Sequence, residues 1–547
     1  LVEDDINNEE VADVLFDLAT TYSDVTYLNL SGNELNEDGV SILAGYVPNL
    51  PNLTALNLDA NDEIDDSGLA EISHAVSVHP SITSLSFSSC DIVDGIVFFE
   101  NAFANSKSLY QFNLANNNLG DEGADCIFNA ISRNNNSAIG DLNFADNNFT
   151  DQAVIESINP YLSESSTLRV LSLAFNDIED DGVQSLAQAL RSNNMLKELG
   201  LRKNRFSEIG TKFLFSALKA NSSLEKLDLS DNALGREGAG YIADYLKTNG
   251  SLKIMFLDDI SPSDEGFSDI AAALAVNKKV ICLSFEKNLL NNADIIKLAD
   301  AIGTHPSLLE LDLSSNSIGN IGLAALAKGL IHNTKLSALS LRRNEFTMTP
   351  MSWLIPSPFT EPLRLNKSLK YLDLSSNNFF SISRPFIDSF MYSHLRELDL
   401  SNNKIGAQNA TDIIEMLCVN NSLRKVKLSN NKFGAWSKSR ISDAVDVVNH
   451  GEVPDQIRPL ACVNKFMQQS VEYCLDRHSR PEPELTPFGS HYLRLNVNGR
   501  KKQKIRLDHP FLVKLPVELL VNILGAIVGE RFLKKRESLE VNLGFGY

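Results

Sequence analysis

Long apolar runs are missing from this 547-residue sequence, although 43% of its residues are hydrophobic. The nearest approach is Phe511–Val528, which Lys514, Pro516, Glu518 and Asn522 interrupt. A helix that crosses a bilayer needs about 20 consecutive, predominantly apolar residues. We therefore predict no transmembrane segment.

Basic side chains are almost absent from the first 160 residues, which hold 27 Asp and Glu against Lys107 and Arg133, a net charge of −25. The whole chain carries −21, and residues 437–547 carry +4. An acidic first third would repel phosphates, so we expect no nucleic-acid partner. It would attract a basic protein partner, although the charge is equally explained by solubility alone.

Cysteine is scarce, with six residues and no CxxC pair. This pattern favours an intracellular reducing compartment, with the cytoplasm as the first expectation. The chain begins at Leu1 rather than Met, so the interior of an organelle, reached after removal of a targeting segment, is the alternative.

Motifs of catalysis and cofactor binding are missing as well, because no phosphate loop, GxGxxG or HExxH occurs. The acidic stretch DANDEIDD (59–66) lacks the central Gly and the terminal Glu of a calcium loop. We predict no enzyme activity, no cofactor and no metal site.

What the sequence does contain is one repeated frame, L-x-x-L-x-L-x-x-N-x-L, in fifteen copies spaced mostly by 28 residues. Its asparagine slot is filled in order by Asn33, Asn61, Cys90, Asn117, Asn147, Asn176, Asn204, Asn232, Ile260, Asn288, Asn316, Asn344, Asn377, Asn403 and Asn431. Such a fixed period is typical of a solenoid, in which stacking buries faces that one repeat cannot bury alone.

The copy LEKLDLSDNALGREG (224–238) shows what each position does. Leu227 and Leu229 alternate with Asp228, so the leucines face the core and Asp228 faces outward from a short strand. Asn232 can donate and accept hydrogen bonds where the chain turns inward, so we interpret it as structural. Cys90 is a tolerated weak donor in this slot, whereas Ile260 is not a donor and predicts a local irregularity.

The frame resembles that of the leucine-rich repeat family, and its period resembles the ribonuclease-inhibitor-like subclass. The resemblance covers about residues 25–436. It implies an α/β solenoid, horseshoe-shaped, of about 15 strand–helix repeats with a parallel concave sheet. In this architecture partners usually bind the concave face, and the fold alone does not define the function.

Three segments are predicted from these patterns. Residues 1–24 form an N-terminal capping helix, because Val11, Val14, Leu15 and Leu18 have helical spacing. Residues 25–436 form the repeat array, with a Pro-rich insertion near 347–365 that we expect to be a loop or extended arm.

Residues 437–547 form a separate α+β module with a hairpin over 491–508 and helices before and after it. Within this module, the string LPVELLVNIL (515–524) resembles the opening of an F-box.

The candidate partner contacts are the charged residues expected on the concave face and two aromatic residues of the Pro-rich insertion. They are Arg202, Lys203, Asp228, Glu286, Lys287, Asp312, Arg342, Arg343, Asp373, Asp399, Lys425 and Lys427, with Trp353 and Phe359 as possible anchors. The four Asp residues recur in L-D-L-S strands, so a purely structural role is the alternative for them.

These observations predict a non-catalytic protein-interaction scaffold. One form of it is a stable structural or assembly subunit of a larger complex, docked through the Pro-rich loop and residues 437–547. The alternatives implied by resemblance are a GTPase-activating protein of the Ran type, which acts in trans, and a substrate adaptor of a ubiquitin ligase.

Overall fold

The computed structural model of the chain describes residues 8–21, 24–64, 66–248, 250–347, 359–380 and 382–434, six residues between 438 and 448, and three later strands. These residues divide into two compact units, Leu1–Leu339 and Ser340–Tyr547. The turn of the expected hairpin, the F-box-like string and the helices expected before and after the hairpin lie outside the described residues.

Fifteen three-residue strands follow one another in a parallel sheet whose strand order is the order of the chain. They are β1 (Tyr27–Asn29), β2 (Ala55–Asn57), β3 (Ser84–Ser86), β4 (Gln111–Asn113), β5 (Asp141–Asn143), β6 (Val170–Ser172), β7 (Glu198–Gly200), β8 (Lys226–Asp228), β9 (Ile254–Phe256), β10 (Cys282–Ser284), β11 (Glu310–Asp312), β12 (Ala338–Ser340), β13 (Tyr371–Asp373), β14 (Glu397–Asp399) and β15 (Lys425–Lys427). The fifteen predicted repeats are therefore confirmed.

Helices alternate with these strands. They are α1 (Asn8–Thr21), α2 (Glu37–Tyr46), α3 (Asp66–Val78), α4 (Glu100–Asn105), α5 (Gly120–Arg133), α6 (Asp151–Ala153), α7 (Asn159–Glu164), α8 (Asp180–Ser192), α9 (Glu208–Leu218), α10 (Gly235–Leu246), α11 (Ser263–Leu274), α12 (Asn292–Thr304), α13 (Asn320–His332), α14 (Thr360–Leu365), α15 (Arg384–Met391) and α16 (Ala410–Val419). Short 3-10 turns occur at Val47–Asn49, Asp94–Phe99 and Ala407–Asn409, and a π-helical stretch, Val154–Ile158, joins α6 to α7.

The core lies between strands and helices because the middle residue of each strand points inward. Leu227 of β8 is fully buried, and its register partner in β9, Met255, is buried as well. From the helical side, Ile242 and Leu246 of α10 are also buried. Each copy thus stacks equivalent apolar side chains on those of its neighbours, which is the core that the 28-residue period predicts.

The asparagine slot forms the expected ladder. The Asn232 side chain donates to the carbonyls of Leu201, Leu229 and Ser230 at 2.9, 3.0 and 3.1 Å, and its oxygen accepts from Asn204 N at 3.0 Å. Buried backbone groups that would otherwise lack partners are satisfied in this way. The structural interpretation of Asn232 is confirmed.

The two exceptions in the ladder behave differently. Cys90 Sγ lies 3.2 Å from the Leu58 carbonyl, which fits a weak donor. Ile260 is fully buried and offers no donor, and Ser261 and Ser263 after it have positive φ of 50° and 57°, in addition to the positive φ that every copy has just before the ladder position. The predicted irregularity of this copy is confirmed.

A second polar ladder, which we did not anticipate, joins the C-terminal ends of the helices. Asn193, Asn221, Asn277, Asn333 and Asn420 each follow a helix and donate to a carbonyl of the preceding copy at 2.7 to 2.8 Å. Each side-chain oxygen accepts a hydrogen bond from the backbone N–H of the residue three positions later. His79 and His305 occupy the same slot in two copies.

Two other expectations can be compared with the structure. The helix α1 lies within the predicted N-terminal segment, and the antiparallel pair β16 (His491–Asn496) and β17 (Gln503–Leu507) lies within the predicted hairpin segment, and β18 (Glu540–Leu543) extends this pair on the side of β16. The division into a cap, an array and a C-terminal module stays a prediction. The Pro-rich insertion is not a loop throughout, because α14 covers Thr360–Leu365. Pro362 is the third residue of α14, in the first turn, where no backbone N–H is needed for the helix.

Candidate interaction surface

The first and third residues of each strand point away from the core and form a surface that we call the strand face. In β8, for instance, Lys226 and Asp228 are half-buried on either side of the fully buried Leu227. Because equivalent residues pair in register, each side chain on this face neighbours those of residues about 28 positions away. The strand face is therefore a grid with two side chains per copy.

Asp228 and Asp312 lie on the strand face as predicted, and both are half-buried. Their carboxylates accept hydrogen bonds from the N–H groups of Ser230 and Ser314 at 3.0 and 2.8 Å. These bonds hold the turn that follows each strand. Each Asp thus has a structural role and still presents its carboxylate on the surface.

Asp373 and Asp399 differ from the expectation of exposed residues, because they are only 8% and 6% exposed. Asp373 accepts from Ser375 N at 2.7 Å, and Asp399 accepts from the Ser401 hydroxyl at 2.6 Å. The prediction that Asp373 and Asp399 contact a partner is therefore corrected, because both carboxylates are buried and hydrogen-bonded within the fold.

The two lysines of β15 are exposed and each is paired with the neighbouring strand. Lys425 lies 3.3 Å from Glu397, and Lys427 lies 3.1 Å from Asp399. Exposed pairs of this kind contribute little to stability. Both ammonium groups remain on the surface of this unit.

The Arg202-Lys203 pair lies just after β7 and makes contacts within the solenoid. Arg202 forms an ion pair with Asp231 at 2.6 Å, and Lys203 lies 4.8 Å from the centre of the Phe175 ring. Lys203 has a φ of 51°, a left-handed conformation shared by the residue before the ladder position in every copy. Lys203 is exposed, whereas Arg202 is half-buried.

Glu286 and Lys287 occupy the same two positions after β10. Glu286 is half-buried and accepts from the Ser315 hydroxyl at 3.0 Å, whereas Lys287 is exposed. Arg342 and Arg343 occupy these positions after β12 and are both exposed. Among the described residues neither arginine forms an ion pair.

The two aromatic candidates have different outcomes. Phe359 is fully buried, and its ring centroid lies 6.2 Å from that of Phe386. It is therefore a core residue rather than an exposed anchor, because burial removes it from any partner's reach. Trp353 lies outside the described residues.

Sequence reasoning missed the ion pairs that connect copies across the strand face. Glu225 pairs with Lys197 at 3.3 Å and with Lys253 at 2.5 Å, and Glu198 pairs with Lys226 at 2.9 Å. Contacts with both lysines lower the pKa of Glu225. The signal was present as opposite charges about 28 residues apart, the distance that stacking turns into adjacency.

Sequence reasoning also missed the apolar surface of β9. Both strand-face positions of this strand carry large apolar side chains, Ile254 and Phe256. In each of the other fourteen repeat strands at least one of these positions is polar or small. Assigning the frame to the string KIMFL (253–257) would have placed both residues on the surface.

No group of three or more His, Cys, Asp or Glu side chains in the described part of the chain is arranged to hold a metal ion. The same residues include no helix long and apolar enough to cross a bilayer. Cys90, Cys126, Cys282 and Cys418 carry free thiols. Burial raises the pKa of Cys90 to about 12, so this thiol stays protonated at neutral pH.

Fold and surface together define a repeat solenoid with a polar grid of strand-borne side chains, a class of fold that typically serves as a non-enzymatic binding scaffold. The family model described as Leucine Rich repeat matches residues 23–44, 49–73, 105–128, 164–187, 220–243, 304–327 and 393–408, and a second, described as Leucine Rich Repeat, matches 368–390. The chain is a leucine-rich repeat protein. Its placement in the ribonuclease-inhibitor-like subclass stays a prediction.

Two curated relatives share part of this array. The chain is 29% identical over 167 residues to human NACHT, LRR and PYD domains-containing protein 13, which covers 30% of this chain and 16% of that protein. It is 27% identical over 115 residues to FERM domain-containing protein C of Dictyostelium discoideum, which covers 21% of this chain and 8% of that protein. The match thus spans less than a fifth of either relative.

Proposed function

We propose that this chain is a non-catalytic scaffold that holds a protein partner on its strand face and serves as a structural subunit of a larger assembly. The observation that carries the proposal is the grid itself. In most copies, two half-exposed side chains remain on the sheet after the core and the asparagine ladder have formed, as in β2, β6 and β8. A leucine-rich repeat array is a protein-interaction scaffold, and its regular surface suits an extended contact with another protein.

The charge along the chain supports a partner with basic segments. The first 160 residues carry −25, and three strands of this region place polar residues on the strand face, namely Asp141 and Asn143 in β5, Asn57 in β2 and Asn113 in β4. Burial raises the pKa of Asp141, and the Glu198 carboxylate adds to this effect. A cation that reached Asp141 would stabilise its charged form against both effects, so a basic partner is favoured here.

Arg342 and Arg343 support a second contact of opposite sign. Both side chains are exposed, and among the described residues no carboxylate compensates them. An arginine that is not engaged by its own fold can form paired hydrogen bonds with a partner's carboxylate. We place an acidic segment of the partner at this pair.

The test is a charge reversal at Arg342 and Arg343 with a matched reversal elsewhere. Native purification from the source cells, with mass spectrometry and size measurement at low and high salt, identifies the complex that the wild type forms. The variant R342E/R343E should lose partner binding while its thermal unfolding stays unchanged. The control K278E/K279E reverses two exposed lysines that lie between α11 and β10, and it should bind as the wild type does.

The outcomes separate the parts of the proposal. A complex that survives high salt supports a permanent subunit held by apolar contacts. A chain that purifies alone under both salt conditions contradicts the scaffold proposal. Equal binding by R342E/R343E and the wild type removes the arginine pair from the contact surface.

A further inference from the structure

One patch of the strand face breaks the polar pattern. The patch consists of Ile254 and Phe256 of β9, Cys282 of β10, and Ile281 and Leu309, which directly precede β10 and β11. We call it the β9 patch. Leu309 is 39% exposed, and the other four are half-buried.

Register places carboxylates on both sides of this patch. Along one row of the grid, Phe256 pairs with Asp228 on one side and with Ser284 on the other, and Ser284 pairs in turn with Asp312. Along the other row, Ile254 is followed by Cys282 and then by Glu310. Neighbouring strands lie about 4.8 Å apart, so these carboxylates are within two strands of the apolar centre.

The carboxylates around the patch outnumber the available cations. The lysines beside it are already engaged, because Lys253 pairs with Glu225 and Lys226 pairs with Glu198. Asp228, Asp258 and Glu310 have no ion pair among the residues the structure describes. Asp258 accepts instead from the Ser284 hydroxyl and from Glu286 N, the latter at 2.8 Å.

Two pKa shifts in and beside the patch are caused first by burial and second by nearby carboxylates. Burial raises the pKa of Asp258, and the nearby Asp312 and Glu286 carboxylates add to it. Burial together with Glu310 raises the pKa of the Cys282 thiol to about 12. Cys282 therefore stays protonated at neutral pH and acts as an apolar member of the patch.

The Phe256 ring also accepts a cation. Lys226 Nζ lies 6.0 Å from its centroid, at the outer limit for a cation–π contact. The same lysine also forms an ion pair with Glu198, so its contact with the ring is weak. An apolar centre, an aromatic face and an acidic rim then define one ligand chemistry.

We propose that the β9 patch binds a partner segment in which a large apolar side chain lies next to an arginine or lysine. The apolar side chain would cover Ile254 and Leu309, while the cation would lie between the Phe256 ring and the rim carboxylates. The inference rests on the proposed scaffold function and specifies the chemistry of one contact on it. Burying the half-exposed apolar area and neutralising the rim both favour this occupant.

The test uses short fluorescent peptides of defined composition. One peptide repeats Arg-Phe pairs, a second has Glu in place of Arg, and a third has Ser in place of Phe. The Arg-Phe peptide should bind the full chain at least about tenfold more tightly than either of the others, and the binding should weaken as salt is added.

Matched variants assign this binding to the patch. I254S/F256S should lower the affinity for the Arg-Phe peptide by about tenfold or more. The control V170S changes a half-exposed apolar residue at the first position of β6, three strands away, and should alter the affinity by less than about twofold. If I254S/F256S fails to fold, D228N/E310Q replaces it in the test. This variant removes two carboxylate charges beside the patch and should weaken the binding of the Arg-Phe peptide.

Several results would overturn the inference. Equal binding of the Arg-Phe and Arg-Ser peptides would reduce the patch to a nonspecific acidic surface. Equal affinities of I254S/F256S and V170S would place the contact elsewhere. Self-association of the wild-type chain that I254S/F256S abolishes would make a second copy the occupant. If I254S/F256S still forms the native complex, the role proposed for the β9 patch is wrong but the scaffold proposal stands. If the wild-type chain purifies without any partner, the scaffold proposal itself is wrong.

Discussion

Replacing His305 by Asn should stabilise this protein. His305 fills the helix-end slot that Asn holds in several other copies, and its Nδ1 accepts from Leu308 N at 3.0 Å, as the Asn333 oxygen accepts from Leu336 N. Its Nε2, however, is buried and has no hydrogen-bond partner in the described structure. The Asn residues at this slot use their amide nitrogen to donate to the preceding copy, as Asn333 does to the Ile302 carbonyl at 2.7 Å.

The expected gain in stability follows from the unsatisfied Nε2 donor of His305. A buried unsatisfied polar group costs about 1 to 3 kcal/mol. The smaller Asn side chain loses part of the apolar contact that the imidazole ring makes, which offsets about 1 kcal/mol of this gain. We therefore expect H305N to raise the free energy of unfolding by roughly 1 kcal/mol at neutral pH.

The pH dependence provides a second, independent signature. Burial lowers the pKa of His305 below its usual value of 6.5. Below that pH the unfolded chain binds a proton that the native chain refuses, so the wild type loses stability as the pH falls. Asn does not titrate. The advantage of H305N should therefore grow from about pH 7.5 to pH 5, by at most about 2 kcal/mol.

Urea unfolding of both proteins, followed by circular dichroism at the two pH values, measures this difference. H79N is the matched control, because His79 Nε2 lies 3.2 Å from the Leu50 carbonyl and no comparable donor is orphaned there. Its gain should be clearly smaller. Our reasoning is wrong if H305N is less stable than the wild type at neutral pH, or if the difference between them does not change with pH.

Two further perturbations test the ladder and the acidic region of the strand face. N232A removes three donated hydrogen bonds and one accepted hydrogen bond of a buried amide. It should therefore lower the free energy of unfolding, measured by denaturant titration, by about 2 to 4 kcal/mol. The control N194A changes an exposed residue and should alter this free energy by less than about 0.5 kcal/mol. D258N keeps an oxygen acceptor for the Ser284 hydroxyl but removes a carboxyl whose pKa burial raises. A raised pKa makes the native state gain a proton first, so the wild type should gain stability relative to D258N as the pH falls from about 7 to 4. A difference that stays constant, or that moves the other way, would show that the pKa of Asp258 is not raised in the folded protein.

Which features the sequence could predict depends on how local their causes are. The strand, the turn and the helix of each copy follow from residues within one period, such as Leu227, Leu229 and Asn232, so their positions were predicted correctly. Even the exceptions Cys90 and Ile260 could be judged from the chemistry of one side chain. The helix-end ladder was equally local, in strings such as SNN (192–194) and AVNKK (275–279), but it was not recognised as a second frame.

The candidate contacts were harder because their environment is supplied by other copies. Asp228, Asp373 and Asp399 stand in the same L-D-L-S string, yet only the first stays half-exposed. Asp228 has Gly200 beside it in the register, which offers no side chain to cover it, whereas Asp399 lies between Asp373 and Lys427. A single-copy motif cannot distinguish these cases.

The sequence by itself thus determined the period, the buried leucines and the asparagine ladder, because these depend on spacing within a repeat. Only the tertiary structure decided which charges pair, that Phe359 belongs to the core, and that Ile254 and Phe256 lie among carboxylates of three neighbouring copies. The physical reason is that stacking makes neighbours of residues 28 or 56 positions apart in the β8–β11 region. Exposure and electrostatic environment are set by those neighbours rather than by adjacent residues in the chain.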